Sequence, residues 1–253
     1  AALGLAAALN AAPALAAVQT WNFDSSSQSF SSTSDGNTLS LTSSDGINLV
    51  VSGWSDTSDI TGPDTIQTAE LIWAQSGALG VVNRDEGTTS PDHSVDSYSS
   101  DSDGEYDMLL LTFDTAVNLT DVNFSWARDG SVSDQADVSL VAYSGVGDDT
   151  LNGKTWGDVL TSGTGGFNVV DNYANIPLGY YAVNGSDVVS TQWLIGAYNP
   201  VFGGSLSDYG DGFKLSAIRT STDDPPPPND VPVPGSLPLV LLGLYALRNR
   251  MLR

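Results

Sequence analysis

The sequence predicts an all-β protein, more specifically a jelly-roll-like β-sandwich with an N-terminal signal segment and a short C-terminal transmembrane helix. Glu occurs only at positions 70, 86 and 105 whereas Asp is abundant, so the charged residues that favour helices are scarce. Short apolar segments are separated by Asp, Asn, Ser and Gly, which is typical of many short strands. No internal repeat of fixed period occurs, which argues against a solenoid or a propeller.

The individual strands follow from the apolar pattern. Residues 39–42, 122–126 and 138–142 alternate apolar and polar side chains, as strands with one buried and one solvent-facing side do. Residues 108–113 and 193–198 are more continuously apolar, so we expect central strands that are covered on both sides. Short strands of this kind, joined by turns and without helical periodicity, favour a sandwich.

Turns are predicted where Gly follows Asp or Asn, because these pairs tolerate positive φ. One short helical turn is expected within residues 150–160. The elements together predict one body domain over residues 17–222. The five turn pairs are Asp35-Gly36, Asp45-Gly46, Asp103-Gly104, Asp129-Gly130 and Asn184-Gly185.

The charge of the chain limits its partners. It carries 30 acidic and 8 basic side chains, a net charge of −22. All the acids lie between residues 24 and 230 together with five of the basic residues, so the body carries 5 − 30 = −25 and the tail +3. Such a body repels phosphate backbones, and we expect no nucleic-acid partner.

The reactive side chains point away from an enzyme. The absence of Cys excludes disulfides, thiolate metal sites and cysteine nucleophiles. The single His, His93, lies in a turn-rich segment, and no G-x-S-x-G motif accompanies it. Pairs of carboxylates for glycoside hydrolysis can be drawn from 30 acids in many ways, so their presence carries no information. We therefore expect no catalytic residues.

Residues 1–16 predict a secretory signal peptide. The segment is apolar, uncharged and too short to cross a bilayer, which needs about 20 residues. It ends in Ala14-Leu15-Ala16, the small-x-small pattern that precedes signal-peptidase cleavage, so we expect cleavage after Ala16. It has neither Met nor a basic region at its start, so we expect the start to be truncated. A buried Ala-rich helix is the alternative interpretation.

The C-terminal residues predict a spacer and a short membrane segment. Residues 223–230 are an Asp/Pro-rich linker whose four consecutive prolines favour an extended, semi-rigid conformation. Residues 237–247 are an apolar run, and three arginines follow it. Cations on the distal side of an apolar run favour retention in the membrane with the cations cytoplasmic.

The tail, residues 231–253, resembles a PEP-CTERM sorting signal, which combines a Pro-Glu-Pro motif, an apolar helix and an arginine cluster. Pro232, Val233 and Pro234 occupy the motif, with Val233 in place of the family's Glu, and the cluster consists of Arg248, Arg250 and Arg253. The resemblance implies processing by an exosortase in a Gram-negative bacterium and transient anchoring in the inner membrane through the sorting helix. A plain membrane anchor with a proline-rich stalk is the alternative.

The body resembles exosortase-dependent surface proteins. The segments that carry this resemblance include GALGVVNRDEGTTSPDHSVDS, DMLLLTFDTAVNLTDVNFSWA and DGFKLSAI. It implies an exported, non-enzymatic protein of the cell surface or extracellular matrix that is associated with exopolysaccharide. The alternative function is a Ca²⁺-dependent, lectin-like carbohydrate-binding module.

Two acidic segments are candidate calcium sites, because Ca²⁺ takes six to eight oxygen ligands from flexible loops. The first contains Asp101, Asp103 and Asp107 around a glycine, although it lacks the EF-hand spacing. The second runs from Asp208 to Asp211. Solvated acidic loops are the alternative for both.

Two tryptophans are candidate sugar platforms. Trp54 and Trp156 are flanked by Ser, Asp and Gly, and an exposed ring in such surroundings can stack on a sugar. The alternative for both is a place in the core, where aromatic side chains bury large areas.

Overall fold

The protein is described by a computed structural model, in which all described residues belong to one unit, Ala17–Thr222. The predicted signal peptide, linker and sorting tail lie outside the described residues, so those domain boundaries stay predictions. The structure describes residues 18–57, 65–74, 77–84, 93–98, 105–145, 150–161, 166–207 and 210–222.

The described residues form thirteen strands, one short α-helix and a 3-10 turn at Pro200–Phe202. The helix, α1, spans Trp156–Thr161 and confirms the helical turn expected from the sequence. No helix in the described ranges has the length and apolar character needed to cross a membrane. The strands are β1 Val18–Asn22, β2 Thr38–Thr42, β3 Asn48–Thr57, β4 Thr65–Trp73, β5 Leu79–Val82, β6 Val95–Asp96, β7 Asp107–Asp129, β8 Val132–Ser133, β9 Gln135–Tyr143, β10 Phe167–Pro177, β11 Gly179–Ala182, β12 Ser190–Ala197 and β13 Asp211–Ser221.

Five of these strands close into a small antiparallel barrel. β3 pairs with β4, β4 with β5, β5 with β13, β13 with β7, and β7 again with β3. The remaining strands extend this ring: β12, β9 and β10 continue from β7, and β1 pairs with β13. The all-β prediction is confirmed.

Strand β7 is much longer than the sequence predicted. Residues 108–113 and 122–126 were expected to be separate strands, but they belong to one strand of 23 residues. The first part pairs with β3 and β12, and the second part with β13 and β11. The reason is visible in residues 114–121, which contain neither Gly nor Pro to interrupt the strand.

The core lies on both sides of the central strands, as the continuously apolar segments predicted. Leu109 and Leu111 of β7 face the main cluster, which also contains Trp193 and a stacked pair, Phe124 and Phe213, with ring centroids 4.3 Å apart. The neighbouring side chains of β7 face the opposite way, into a second cluster that includes α1 and the 3-10 turn. These two clusters account for the apolar runs at 108–113 and 193–198.

Strand β9 departs from its prediction of one buried and one solvent-facing side. Ser139, expected on the wet side, is fully buried. Its hydroxyl donates to Asn172 Oδ1 at 2.7 Å and accepts from the amide of Asn199 at 3.1 Å. The chain after β12 therefore covers this side of β9, a contact between distant segments that alternation along β9 does not reveal.

Candidate metal centre

Several residues predicted to be functional lie outside the described residues. They are the signal-cleavage residues Ala14 and Ala16, the sorting motif Pro232, Val233 and Pro234, the arginines Arg248, Arg250 and Arg253, and two of the three predicted calcium ligands, Asp101 and Asp103. Their roles stay predictions.

The third predicted calcium ligand, Asp107, is described and is buried at the start of β7. Its carboxylate accepts a hydrogen bond from the hydroxyl of Ser55, its cross-strand neighbour on β3. Glu105 is also buried and accepts from Asn83 Nδ2 at 3.1 Å. Glu105 and Asp107 therefore lie inside the protein. The predicted calcium loop stays a prediction.

The two tryptophans proposed as sugar platforms are placed differently. Trp156 is only 3% exposed and packs edge-on against Phe202 in the second cluster, with ring centroids 6.0 Å apart. It presents no free ring face, which corrects the sugar-platform interpretation and fits the alternative of a core residue. Trp54 is half-buried at the edge of the same cluster, and its indole nitrogen donates to Ser52 Oγ at 2.9 Å.

The structure brings three carboxylates together at one end of the fold. Asp129 ends β7 and pairs across the strands with Asp211, the first residue of β13. Asp137 lies on β9. One carboxylate oxygen of each residue lies within 4.8 Å of the others. We call these three residues the carboxylate cluster.

Backbone amides hold the carboxylate cluster in place. The amide of Asp137 donates to Asp211 Oδ1 at 2.7 Å, and the amide of Asn175 donates to Asp137 Oδ1 at 2.7 Å. The backbone of Asp211 is itself fixed by Ser97, whose amide donates to the Asp211 carbonyl at 2.9 Å. Segment 93–98 is therefore hydrogen-bonded to the start of β13.

Burial makes the carboxylate cluster electrostatically unfavourable as it stands. Asp211 is 0% exposed and Asp137 is 4% exposed, whereas Asp129 is partly exposed. Burial, followed by the charges of Asp137 and Asp129, raises the pKa of Asp211 to about 8. Burial is also the main cause that raises the pKa of Asp137. The other oxygen of Asp211, Oδ2, is buried and has no hydrogen-bond partner.

The basic side chains near the carboxylate cluster are directed elsewhere. Arg128 precedes Asp129, but its Nε donates to the Gly130 carbonyl at 2.6 Å and its guanidinium lies over the ring of Tyr98. Arg84 forms an ion pair with Asp35, with 3.2 Å between Nε and Oδ2. The negative charge of the cluster is therefore not balanced by an ion pair with the protein's own described cations.

The donor set of the carboxylate cluster suits a hard cation. All three side chains offer oxygen, which is the ligand that Ca²⁺ and Mg²⁺ prefer, and none offers the nitrogen or sulfur that zinc sites use. The sequence singled out Asp211 within its second acidic segment, but not its two partners. Asp129 was interpreted only as part of a turn, and Asp137 directly precedes the alternating segment at residues 138–142.

A second feature lies on the outer side of β13. The ammonium of Lys214 is 5.1 Å from the centre of the Trp126 ring, and the guanidinium of Arg219 is 3.7 Å from the centre of the Tyr180 ring. Phe213, Leu215 and Ile218 of β13 contribute to the main cluster, and an irregularity in its pairing with β7 between Leu215 and Ala217 leaves both Lys214 and Arg219 on the outer face with the two rings. We call them the cationic strip.

Comparisons with known proteins leave the family open. No protein-family model matches the chain, and neither a curated protein nor a solved structure resembles it significantly.

Proposed function

We propose that this chain is an exported, non-enzymatic protein of a Gram-negative cell surface or extracellular matrix, processed by an exosortase and associated with exopolysaccharide. The order of the tail, with Pro-Val-Pro, an apolar run and three arginines, supports the sorting step. The β-rich body and its Asp-rich composition are compatible with a protein that works outside the cell. The finer description of the fold as a jelly-roll-like sandwich belongs to the same proposal.

The cationic strip is the observation that carries the association with polysaccharide. Lys214 and Arg219 lie on one face of one strand, five residues and thus roughly 16 Å apart. Each is stacked on an aromatic ring, and Tyr180 is 39% exposed. The body as a whole carries a net charge of −25. On this face, however, an acidic sugar can contact both a positively charged side chain and an aromatic ring.

Deleting the exosortase is expected to leave the C-terminal tail on the protein. In the parent strain, mass spectrometry of the mature protein should find a C-terminus close to residues 231–236, whereas the deletion strain should retain residues 237–253. Val233→Glu, which restores the family's motif, should be processed at least as completely as the natural sequence. The same C-terminus in both strains would contradict the sorting proposal.

Binding to acidic exopolysaccharide is expected to weaken when Arg219 loses its charge. Arg219→Gln removes the stacked cation, and a loss of about three- to tenfold in affinity corresponds to the usual strength of such contacts. Arg84→Gln is the matched control, because it removes one exposed positive charge from a different place. Biolayer interferometry on immobilised polysaccharide measures both.

Equal losses in the two variants would indicate a general charge effect and contradict a role for the cationic strip. The lectin-like alternative makes a different prediction for the same assay. If EDTA abolishes binding of the natural chain while Arg219→Gln leaves it unchanged, a calcium-dependent site elsewhere is favoured over the cationic strip.

A further inference from the structure

We propose that Asp129, Asp137 and Asp211 together bind one Ca²⁺ ion that ties the ends of β7, β9 and β13. This site is separate from the predicted loop at residues 101–107, and it does not depend on the proposed sorting or polysaccharide binding. Asp129 and Asp137 are close in sequence, but Asp211 lies 74 residues beyond Asp137, so the ion would stabilise the assembled fold and not a local loop.

The spacing of the carboxylates fits one ion. Oxygens that bind the same Ca²⁺ at 2.3–2.6 Å are at most about 5 Å apart. The three carboxylate oxygens of the cluster lie within 4.8 Å of one another. A single Ca²⁺ therefore reaches all three without a change in the strands that carry them, while water or backbone oxygens complete its six to eight ligands.

The orphaned oxygen of Asp211 is the independent observation that points to a ligand. Asp211 is fully buried, and Oδ2 has no hydrogen-bond partner although Oδ1 accepts from the amide of Asp137. A buried carboxylate oxygen without a partner is costly, because it loses its water and gains nothing in return. A bound cation supplies the missing partner and at the same time neutralises the repulsion within the cluster.

The surroundings favour Ca²⁺ over the other common cations. The described residues at the site offer no imidazole or thiolate, which transition metals prefer. Mg²⁺ gives up its water reluctantly and retains several water ligands. Two of the three carboxylates here are almost completely buried, which suits an ion that dehydrates readily. The partly exposed Asp129 offers a path of entry from solvent.

The test compares the full chain with Asp211→Asn. Isothermal titration calorimetry of the chelator-treated protein with CaCl₂ measures how many Ca²⁺ ions each chain binds. The variant should bind one Ca²⁺ fewer than the natural chain, whatever other sites the chain contains. At free Ca²⁺ of about one hundred times the dissociation constant, the natural chain should melt roughly 5–10 °C higher than in EDTA. Asp211→Asn should lose this increment, while a tenfold excess of Mg²⁺ should leave Ca²⁺ binding in place.

Asp211→Asn is informative because it need not harm the fold. The amide keeps the shape of the side chain and removes a buried ionisable group, so in EDTA the variant should melt at or above the natural chain. Asp171→Asn, on the exposed part of β10, is the matched control and should retain the full stoichiometry. Equal Ca²⁺ stoichiometry in the natural chain and Asp211→Asn, or preferential binding of Mg²⁺, would overturn the proposal.

Discussion

Gly196→Ala is expected to lower the free energy of unfolding by about 3 kcal/mol, near the upper end of the usual cost of overpacking. Gly196 lies on β12 between Met108 of β7 and Ser139 of β9. A Cβ atom there would be closer than 3.0 Å to the backbone carbonyl oxygen of Asp107 and to Cγ of Met108. Because the nearest obstacle is backbone, β12 and β7 must separate to admit the methyl group. Thermal and urea unfolding measure the loss.

Gly185→Ala is the matched control for this substitution. A Cβ atom at Gly185 would meet no atom within 4 Å, and the residue does not have a positive φ. The same change of Gly to Ala should therefore leave stability unchanged or raise it slightly, because Ala restricts the unfolded chain. If the two variants unfold at the same denaturant concentration, the close approach of β12 and β7 described here is wrong.

Trp193→Ala is expected to cost about 3–5 kcal/mol, the usual range for removing a large aromatic side chain from a core. Trp193 is fully buried in the main cluster, and its indole nitrogen donates to the Ser190 carbonyl at 3.2 Å. The substitution leaves a cavity and an unpaired carbonyl. For a domain of this size the melting temperature should fall by about 10 °C.

Trp54→Ala provides the comparison, because Trp54 is half-buried and packs at the edge of the second cluster. It should cost less than half as much as Trp193→Ala, since less apolar area is removed from contact. A larger loss for Trp54→Ala than for Trp193→Ala would contradict the assignment of the main core. Calorimetry on the three chains decides between these outcomes.

Local patterns revealed the strands but not their partners. The apolar runs at 108–113 and 193–198, the alternation at 39–42 and the helical turn near Trp156 could all be predicted, because each depends on neighbouring residues. The continuity of β7 was missed, because nothing in the local sequence shows where the strand changes its pairing partners. The buried Ser139 was missed because the segment that covers it comes sixty residues later.

The carboxylate cluster illustrates why sites of this kind escape sequence analysis. Asp129, Asp137 and Asp211 share no motif, and two of them are brought together only by the pairing of β7 with β13. In a chain with 30 acids, no feature of the sequence separates these three from the solvated ones. Burial is the property that distinguishes them, and burial depends on the complete fold.

The position of β13 has a consequence for the order in which the molecule can be made. It is the last of the described strands, yet it pairs with β7 along one side and with β6, β5 and β1 in succession along the other. A nascent chain that ends at Asn199 contains twelve of the thirteen described strands, but its barrel stays open and β1 has no partner within the described fold. Contacts between segments that are far apart in sequence, such as β1 and β13, form slowly. For an exported protein, as proposed here, this arrangement leaves the barrel open until β13 has been synthesised.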